Sequence, residues 1–394
     1  MKIVRNKIND IIEDLDKPNI TILLGARQVG KSTLMEDLMA HVKGIGGKLV
    51  SFNLEYPDDL LWFSRSDKEI FDELSGQKDL LIFIDEFHYL KNASKLFKGL
   101  YDIKRNIKIV ASGSSSLEIH KHLQESLAGR RRIFKIFPLC YDEWRQTGKG
   151  LEEFLTYGGL PGLLKHNTRA EKIEYLSQMV QTYLMKDIKG LIKEENIRAF
   201  NHLLFYLAEH QGNIMPAANL ASEIGVSAHT IESYLEILEQ TFIIYGIHSF
   251  AQKLSNELKK SRKYYFYDAG IRNSLLKNFA KTVERDDLGG IFECAVLQEL
   301  KILQASNVEI RFWRTKQGDE VDFVWIEDRK PIPIEVKSNI ENDRTPPGII
   351  KFLKHYPKSK VGYVINRTIK EDRELNGSII KYRTIADLRS EFIS

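Results

Sequence analysis

The sequence predicts an α/β chain: a parallel sheet first, a helical stretch next, and a second α/β region last. Three observations carry this. Continuous apolar runs at 20–25 (ITILLG), 47–54 (GKLVSFNL), 80–84 (LLIFI) and 107–111 (IKIVA) alternate with helical patterns over the first ~145 residues. Such runs mark strands buried on both faces, and their alternation with helices marks a parallel sheet. From about 150 to 250 the pattern turns helical, broken at Gly158-Gly159, Gly212 and Gly225. After about 260 strand signals return, at 263–267, 308–314, 320–325, 331–336 and 360–365. These shifts divide the chain into 1–150, 151–200, 201–260 and 261–394.

The bulk numbers agree with a multi-domain globular protein. The chain has 394 residues, 43% hydrophobic and 28% charged. Its net charge of +4 is too small to mark a general nucleic-acid binder, so any basic surface is local. The two cysteines, Cys140 and Cys294, lack metal-ligand spacing and read as core thiols in a reducing compartment. The N-terminus is charged throughout, unlike a signal peptide, and no apolar run approaches the roughly 18 residues that span a bilayer. A cytoplasmic location without membrane partners is expected.

The first apolar run leads into Gly25-Ala26-Arg27-Gln28-Val29-Gly30-Lys31-Ser32, with Thr33 following, which fits G-x-x-x-x-G-K-[ST]. The glycines allow a tight turn whose backbone N–H groups surround phosphates at a helix N-terminus. Lys31 supplies charge for the β- and γ-phosphates and Ser32 a hydroxyl for Mg²⁺. The run LLIFI ends in Asp85-Glu86. Asp85 is expected to hold Mg²⁺ through water, and Glu86 to polarise the attacking water. In IKIVASGSSS, the strand is expected beside that of Asp85, bringing Ser112 or Ser114 near the γ-phosphate. Arg130, Arg131 and Arg132 are candidates to stabilise γ-phosphate charge, in cis or from a neighbouring subunit, with Arg130 the first choice. The second route requires a homo-oligomer. ATP and Mg²⁺ are the expected cofactors.

GARQVGKST, FIDEFHYL, SGSSS and LAGRRRIFKIFPLCYDEW together resemble a prokaryotic family of AAA-type ATPases. The similarity continues through YGGLPGLL (157–164), QTYLMKDI (181–188), YYFYDAGIRNSLL (264–276), EVDFV (320–324) and IEVKS (334–338). It covers nearly the whole chain. Members carry a C-terminal domain of unknown function that resembles a restriction endonuclease. The resemblance thus implies a P-loop ATPase at 1–150, with a nuclease-like domain at its far end and no defined task.

Between them, 151–200 is expected to form a helical lid, and 201–260 a winged-helix-like module. Residues 218–247 have helix-turn-helix spacing: Ala221 in the first helix, Gly225 in the turn, Ile231 and Leu235 in the second. Residues 228–240 carry Glu232, Glu236 and Glu239 and no Lys or Arg, which opposes insertion beside phosphates. The basic residues come later, at Lys253, Lys259, Lys260, Arg262 and Lys263. DNA contact through this segment and packing against protein are both compatible with the pattern.

In the last region Asp322 is followed thirteen residues later by Glu335-Val336-Lys337. Period-2 alternation puts Glu335 and Lys337 on one face of a strand. An Asp ending one strand and a D/E-x-K triplet on the next is the PD-(D/E)xK nuclease pattern. Asp322 and Glu335 then hold Mg²⁺, Lys337 assists the nucleophile, and Glu293 joins from an upstream helix. The competing reading keeps this fold and its acids as a binding or inhibited site, making the protein an ATP-driven switch that cuts nothing.

Overall fold

The computed structural model describes residues 2–103, 106–114, 127–182, 192, 197–250, 262–340 and 345–393. The chain separates into two compact units: Met1–Pro138 with Gln240–Phe242, and Leu139–Glu239 with Ile243–Ser394.

The first unit is built on strands β1 (Ile20–Leu24), β2 (Lys48–Asn53), β3 (Leu80–Asp85), β4 (Ile107–Gly113) and β5 (Arg131–Lys135). They form one sheet in the order β2-β3-β4-β1-β5, and every pairing is parallel. The three central strands are almost wholly buried, which is why they read as continuous apolar runs. The edge strands β2 and β5 are half-covered and mixed in composition. For that reason β5, with the sequence RRIFK, escapes a hydrophobic reading and passes for a basic run. Helices α1 (Ile8–Leu15), α2 (Lys31–Gly44), α3 (Pro57–Trp62), α4 (Asp67–Ser75) and α5 (Ala93–Asp102) connect or precede these strands. At the amino ends of β1 and β4, buried Asp14 accepts from Thr21 (2.6 Å), Asn19 (3.1 Å) and Arg132 (3.1 Å), and Lys108 donates to the Asp14 carbonyl. That closed network leaves no buried charge unpaired and anchors α1 beneath the sheet.

The second unit begins with helices Tyr141–Trp144, Leu151–Tyr157, Arg169–Met179 and Ile197–Glu209. Helix Ala217–Ile224 then ends on Gly225 in the left-handed region (φ 79°), and helix Ala228–Gln240 follows. Ile231 and Leu235 are buried on that second helix, while His229, Glu232, Ser233 and Glu236 face outward. An antiparallel pair comes next, β6 (Ile244–His248) with β7 (Arg262–Phe266). Asp268 caps helix Ala269–Leu275 and also accepts the Gly159 N–H at 2.7 Å.

The last sheet is mixed and six-stranded, in the order β12-β13-β11-β10-β9-β8. Its strands are β8 (Val308–Arg314), β9 (Glu320–Glu327), β10 (Lys330–Val336), β11 (Val361–Asn366), β12 (Glu371–Leu375) and β13 (Ser378–Thr384). β8-β9-β10 run antiparallel, while β10, β11 and β13 are parallel. Helix Leu288–Leu303 is buried over most of its length. Cys140 and Cys294 are both free and buried.

Candidate functional site

The loop Gly25–Gly30 leaves the carboxyl end of β1 and enters α2 at Lys31. Two residues of it take positive φ, Gln28 (59°) and Gly30 (93°), which gives the loop its reversal. Gly25 is required sterically, because a Cβ there would run into the Ile136 carbonyl oxygen. The first intrahelical bond is Leu34 N–H to Gly30 C=O. The N–H groups of Lys31, Ser32 and Thr33 therefore have no carbonyl of their own helix to bond and point out of its N-terminus. Ser32 and Thr33 are exposed and Val29 is buried. Lys31 is 4% exposed; its Nζ donates to the carbonyls of Gly25 (3.1 Å) and Ala26 (3.0 Å) and lies 3.8 Å from Glu86 Oε1. Burial lowers its pKa, and the charges of Glu86 and Asp85 offset part of that.

Because β4 lies between β1 and β3, its carboxyl end separates the loop from Asp85-Glu86 and touches both acids. The Ser112 hydroxyl donates to Asp85 Oδ1, as does the Glu86 N–H (3.1 Å), and no described residue donates to Oδ2. Ser114 reaches Glu86 through its backbone N–H, 3.0 Å from Oε2. Glu86 itself adopts φ 53°, a conformation that costs a non-glycine residue roughly 1–3 kcal/mol and recurs at functional positions. His88 Nδ1 lies 3.0 Å from Glu86 Oε2. Burial would raise the Glu86 pKa, but His88, the Lys31 charge and the Ser114 N–H outweigh it and hold the carboxyl at about 2. The site thus combines free N–H donors, a buried ammonium, an exposed hydroxyl and two acids, one kept ionised. That donor set fits a nucleotide triphosphate with a hard cation: Ser32 and Asp85 supply the oxygens such an ion takes.

The arginine cluster is elsewhere. Arg131 pairs with Ile20, at the amino end of β1, whereas the loop follows Leu24. Four strand residues, roughly 13 Å, separate the two ends. Arg130 donates to Asp102 (3.2 Å) and Arg132 to Asp14, so none of the three faces its own phosphate loop. This corrects the cis reading: β5 runs parallel to β1 and carries its arginines at the wrong end. The β5 cation opposite Leu24 is Lys135. Arg5 is a further residue with no sequence signal. Its guanidinium donates to the carbonyls of Val29 (2.8 Å) in the loop and Phe137 (2.7 Å) after β5.

In the second unit, β9 and β10 pair so that Phe323 faces Ile334. One step further the register sets Asp322 opposite Glu335, on the same face. Asp322 accepts the Val336 N–H at 2.8 Å, and Lys337 Nζ lies 2.9 Å from Glu335 Oε1. Glu335 Oε2 is buried and has no hydrogen-bond partner among the described residues. Glu293 accepts the Tyr265 hydroxyl at 2.9 Å. Burial, reinforced by the Asp322 charge, raises the pKa of both Glu293 and Glu335, and burial raises that of Asp322. No three His, Cys, Asp or Glu side chains among the described residues are gathered closely enough to hold a metal. The available donors are the pair Asp322 and Glu335, with the orphaned Glu335 oxygen; Mg²⁺, which keeps several waters and takes one or two carboxylates, fits that pair.

The expected basic segment changes character. Lys253, Lys259 and Lys260 lie outside the described residues, as does most of the motif 181–188. Arg262 pairs with Glu239 (3.3 Å). Lys263 is 2% exposed and pairs with Glu320, so it offers no charge to a phosphate backbone.

Residues 17–145 match the family described as "AAA domain". Residues 148–282 and 288–385 match two families described as domains of unknown function, DUF8612 and DUF4143. An uncharacterized protein of Haemophilus influenzae is 24% identical over 306 residues, 71% of this chain and 76% of that protein. The uncharacterized protein MJ1544 of Methanocaldococcus jannaschii is 24% identical over 360 residues, 82% of this chain and 76% of its own length. Among solved structures, a DNA replication initiation factor aligns at TM-score 0.27 with 14% identity, over 56% of this chain and 69% of that one. AMPPCP-bound DnaA from Aquifex aeolicus aligns at TM-score 0.30 with 12% identity, over 61% of this chain and 90% of that one. Likeness at that level says nothing about substrate or partner. No helix among the described residues is long and apolar enough to cross a membrane. Residues 17–145 thus match an AAA domain and carry a parallel sheet with a phosphate-binding loop after β1, one of its buried strands.

Proposed function

We infer that the chain hydrolyses ATP at Gly25–Thr33 and uses the turnover to handle DNA through its C-terminal region. The carrying observation is Glu86: an ionised carboxylate, bonded to the Ser114 N–H and 3.8 Å from the Lys31 ammonium. In this reading the loop N–H groups and Lys31 bind the β- and γ-phosphates, and Ser32 and Asp85 hold Mg²⁺. The ion neutralises phosphate charge. Glu86 orients the attacking water and takes its proton, and Ser114 senses the γ-phosphate at the Glu86 side. An arginine for the transition state then comes from Arg130 of a neighbouring subunit in a homo-oligomer. Lys31→Ala is expected to abolish phosphate release; normal release by that variant overturns the assignment.

For the domains we keep 1–150 as the ATPase, 151–200 as a helical lid, 201–260 as a winged-helix-like module and 261–394 as the nuclease-like domain. Asp322, Glu335, Lys337 and Glu293 are its proposed cutting residues. A second reading, an ATP-driven switch with a silent C-terminal site and a protein partner, is favoured by the acidic outer face of helix Ala228–Gln240. Phosphate contacts supply most DNA affinity, and that face repels them. Incubation with Mn²⁺ and DNA beside Glu335→Ala separates the readings: cutting lost in the variant selects the nuclease, and equal cutting by both proteins removes Glu335 from the mechanism.

A further inference from the structure

The acidic site of the C-terminal region contains groups that do not belong to the C-terminal family segment. Lys263 and Tyr265 stand two residues apart on β7, within the segment 148–282, and point to one face. Tyr265 donates to Glu293 (2.9 Å), the helix acid. Lys263 pairs with Glu320, two residues before Asp322 on β9. Its ammonium also feels the charges of Asp322 and Glu293, which hold it protonated against burial. Gly212, from the loop before β7, closes on the same place: a Cβ there would lie 3.1 Å from Glu293 Oε2 and 3.4 Å from the Tyr265 hydroxyl.

We propose that this is a composite site, in which Lys263 is a built-in cation that sets how tightly Asp322 and Glu335 take a divalent ion. The proposal rests on reading those two acids as cation ligands. Four carboxylates, Glu293, Glu320, Asp322 and Glu335, face two ammonium groups, Lys263 and Lys337. A divalent ion entering beside Glu335 Oε2, a buried oxygen without a partner among the described residues, meets the repulsion of a lysine that cannot swing away, because it is 2% exposed. Lys337 is different: its side chain is 46% exposed and free to move into solvent. Lys263 is accordingly a positioning residue. It keeps Glu320 fixed and screens Asp322 from Glu293 while weakening the hold on the ion.

The test is Mn²⁺ binding to the full chain, followed by calorimetry without nucleic acid. To separate this site from the nucleotide site, all proteins carry Asp85→Asn. Lys263→Met is expected to tighten Mn²⁺ binding at the C-terminal site by about tenfold, and Lys263→Arg to leave it within about twofold. If Lys263→Met does not fold, the comparison moves to Glu320→Gln against Glu320→Gln with Lys263→Met, where both partners of the buried pair are removed together. Unchanged or weaker affinity on loss of the ammonium overturns the proposal. Should Glu335→Gln abolish binding while Lys263→Met leaves it unchanged, the cation reading stands and the role of Lys263 falls. Absence of Mn²⁺ binding in every variant overturns both.

Discussion

Replacing Glu86 by Gln tests the ATPase reading through two effects of opposite sign. Gln keeps the size and an oxygen that accepts the Ser114 N–H, 3.0 Å away in the native protein. It cannot accept a proton. Loss of a positioned base lowers turnover roughly 10²–10⁴-fold, or about 3–5 kcal/mol of barrier. Nucleotide affinity moves the other way. Glu86 Oε1 lies 3.8 Å from the Lys31 ammonium and competes with phosphate for it. Their attraction has a ceiling of about 4 kcal/mol at an effective dielectric constant of 20. If a quarter of it is released to the nucleotide, ATP binds about fivefold more tightly. Steady-state phosphate release gives the first number, and equilibrium titration with a fluorescent ATP analogue the second. Turnover within tenfold of the native rate refutes the base assignment. Weaker binding refutes the competition between Glu86 and phosphate for Lys31.

Two further outcomes follow from groups outside the sequence motifs. Arg5→Ala removes two charged hydrogen bonds, to Val29 and Phe137, and loosens the phosphate loop. The Michaelis constant for ATP should rise about tenfold with a smaller change in kcat; equal loss in both would mean that the chemistry, not loop placement, was damaged. Asp268 gives a pH signature in the second unit. Burial pushes its pKa up to about 6 from 3.8, despite N–H donors from Gly159 and Ile271. The folded state thus binds this proton more readily than the unfolded state. Its contribution is fully present below pH 3.8 and is lost as pH rises through 6, about 3 kcal/mol in all. Chemical denaturation from pH 4 to 7 should show a shallower loss of stability in Asp268→Asn than in the native chain, the remainder coming from Glu293, Asp322 and Glu335; parallel curves would remove Asp268 as a source.

The phosphate loop and the β3 acids were legible in the sequence because their chemistry is local. A glycine that cannot bear a Cβ and a strand that ends in acids leave their mark on neighbouring residues. The central strands were legible for a related reason, since burial on both faces forces an unbroken apolar run. Edge strands leave no such mark. β5 starts inside a run of three arginines, and its alignment with β1, which moves those arginines away from the loop, exists only once the strands pair. Strands β12 and β13 close the second sheet with alternating charge (EDREL, SIIKYRT) and were passed over for the same reason. Lys263 shows the converse error. Among neighbours such as Lys259, Lys260 and Arg262 it looks like solvated basic surface. Its partner Glu320 is 57 residues on, and local charge spacing carries no trace of a pair at that separation.

The two groups of acids also differ in a way that residue type alone does not encode. Glu86 has His88, the Lys31 ammonium and the Ser114 N–H around it, so burial loses and the carboxyl stays charged. Glu293, Asp322 and Glu335 outnumber the two ammonium groups around them, Lys263 and Lys337, so burial wins and each resists ionisation. The first environment keeps Glu86 ionised and able to orient a water, at the cost of making it a weak base. Acids waiting for a cation produce the second, since each charge added without a counter-ion raises the energy of the next. Lys263, fixed within that cluster, relieves part of the repulsion permanently. The remainder is left for an ion that can come and go, which makes cation binding at the second site weaker, and more readily reversed, than four carboxylates alone would allow.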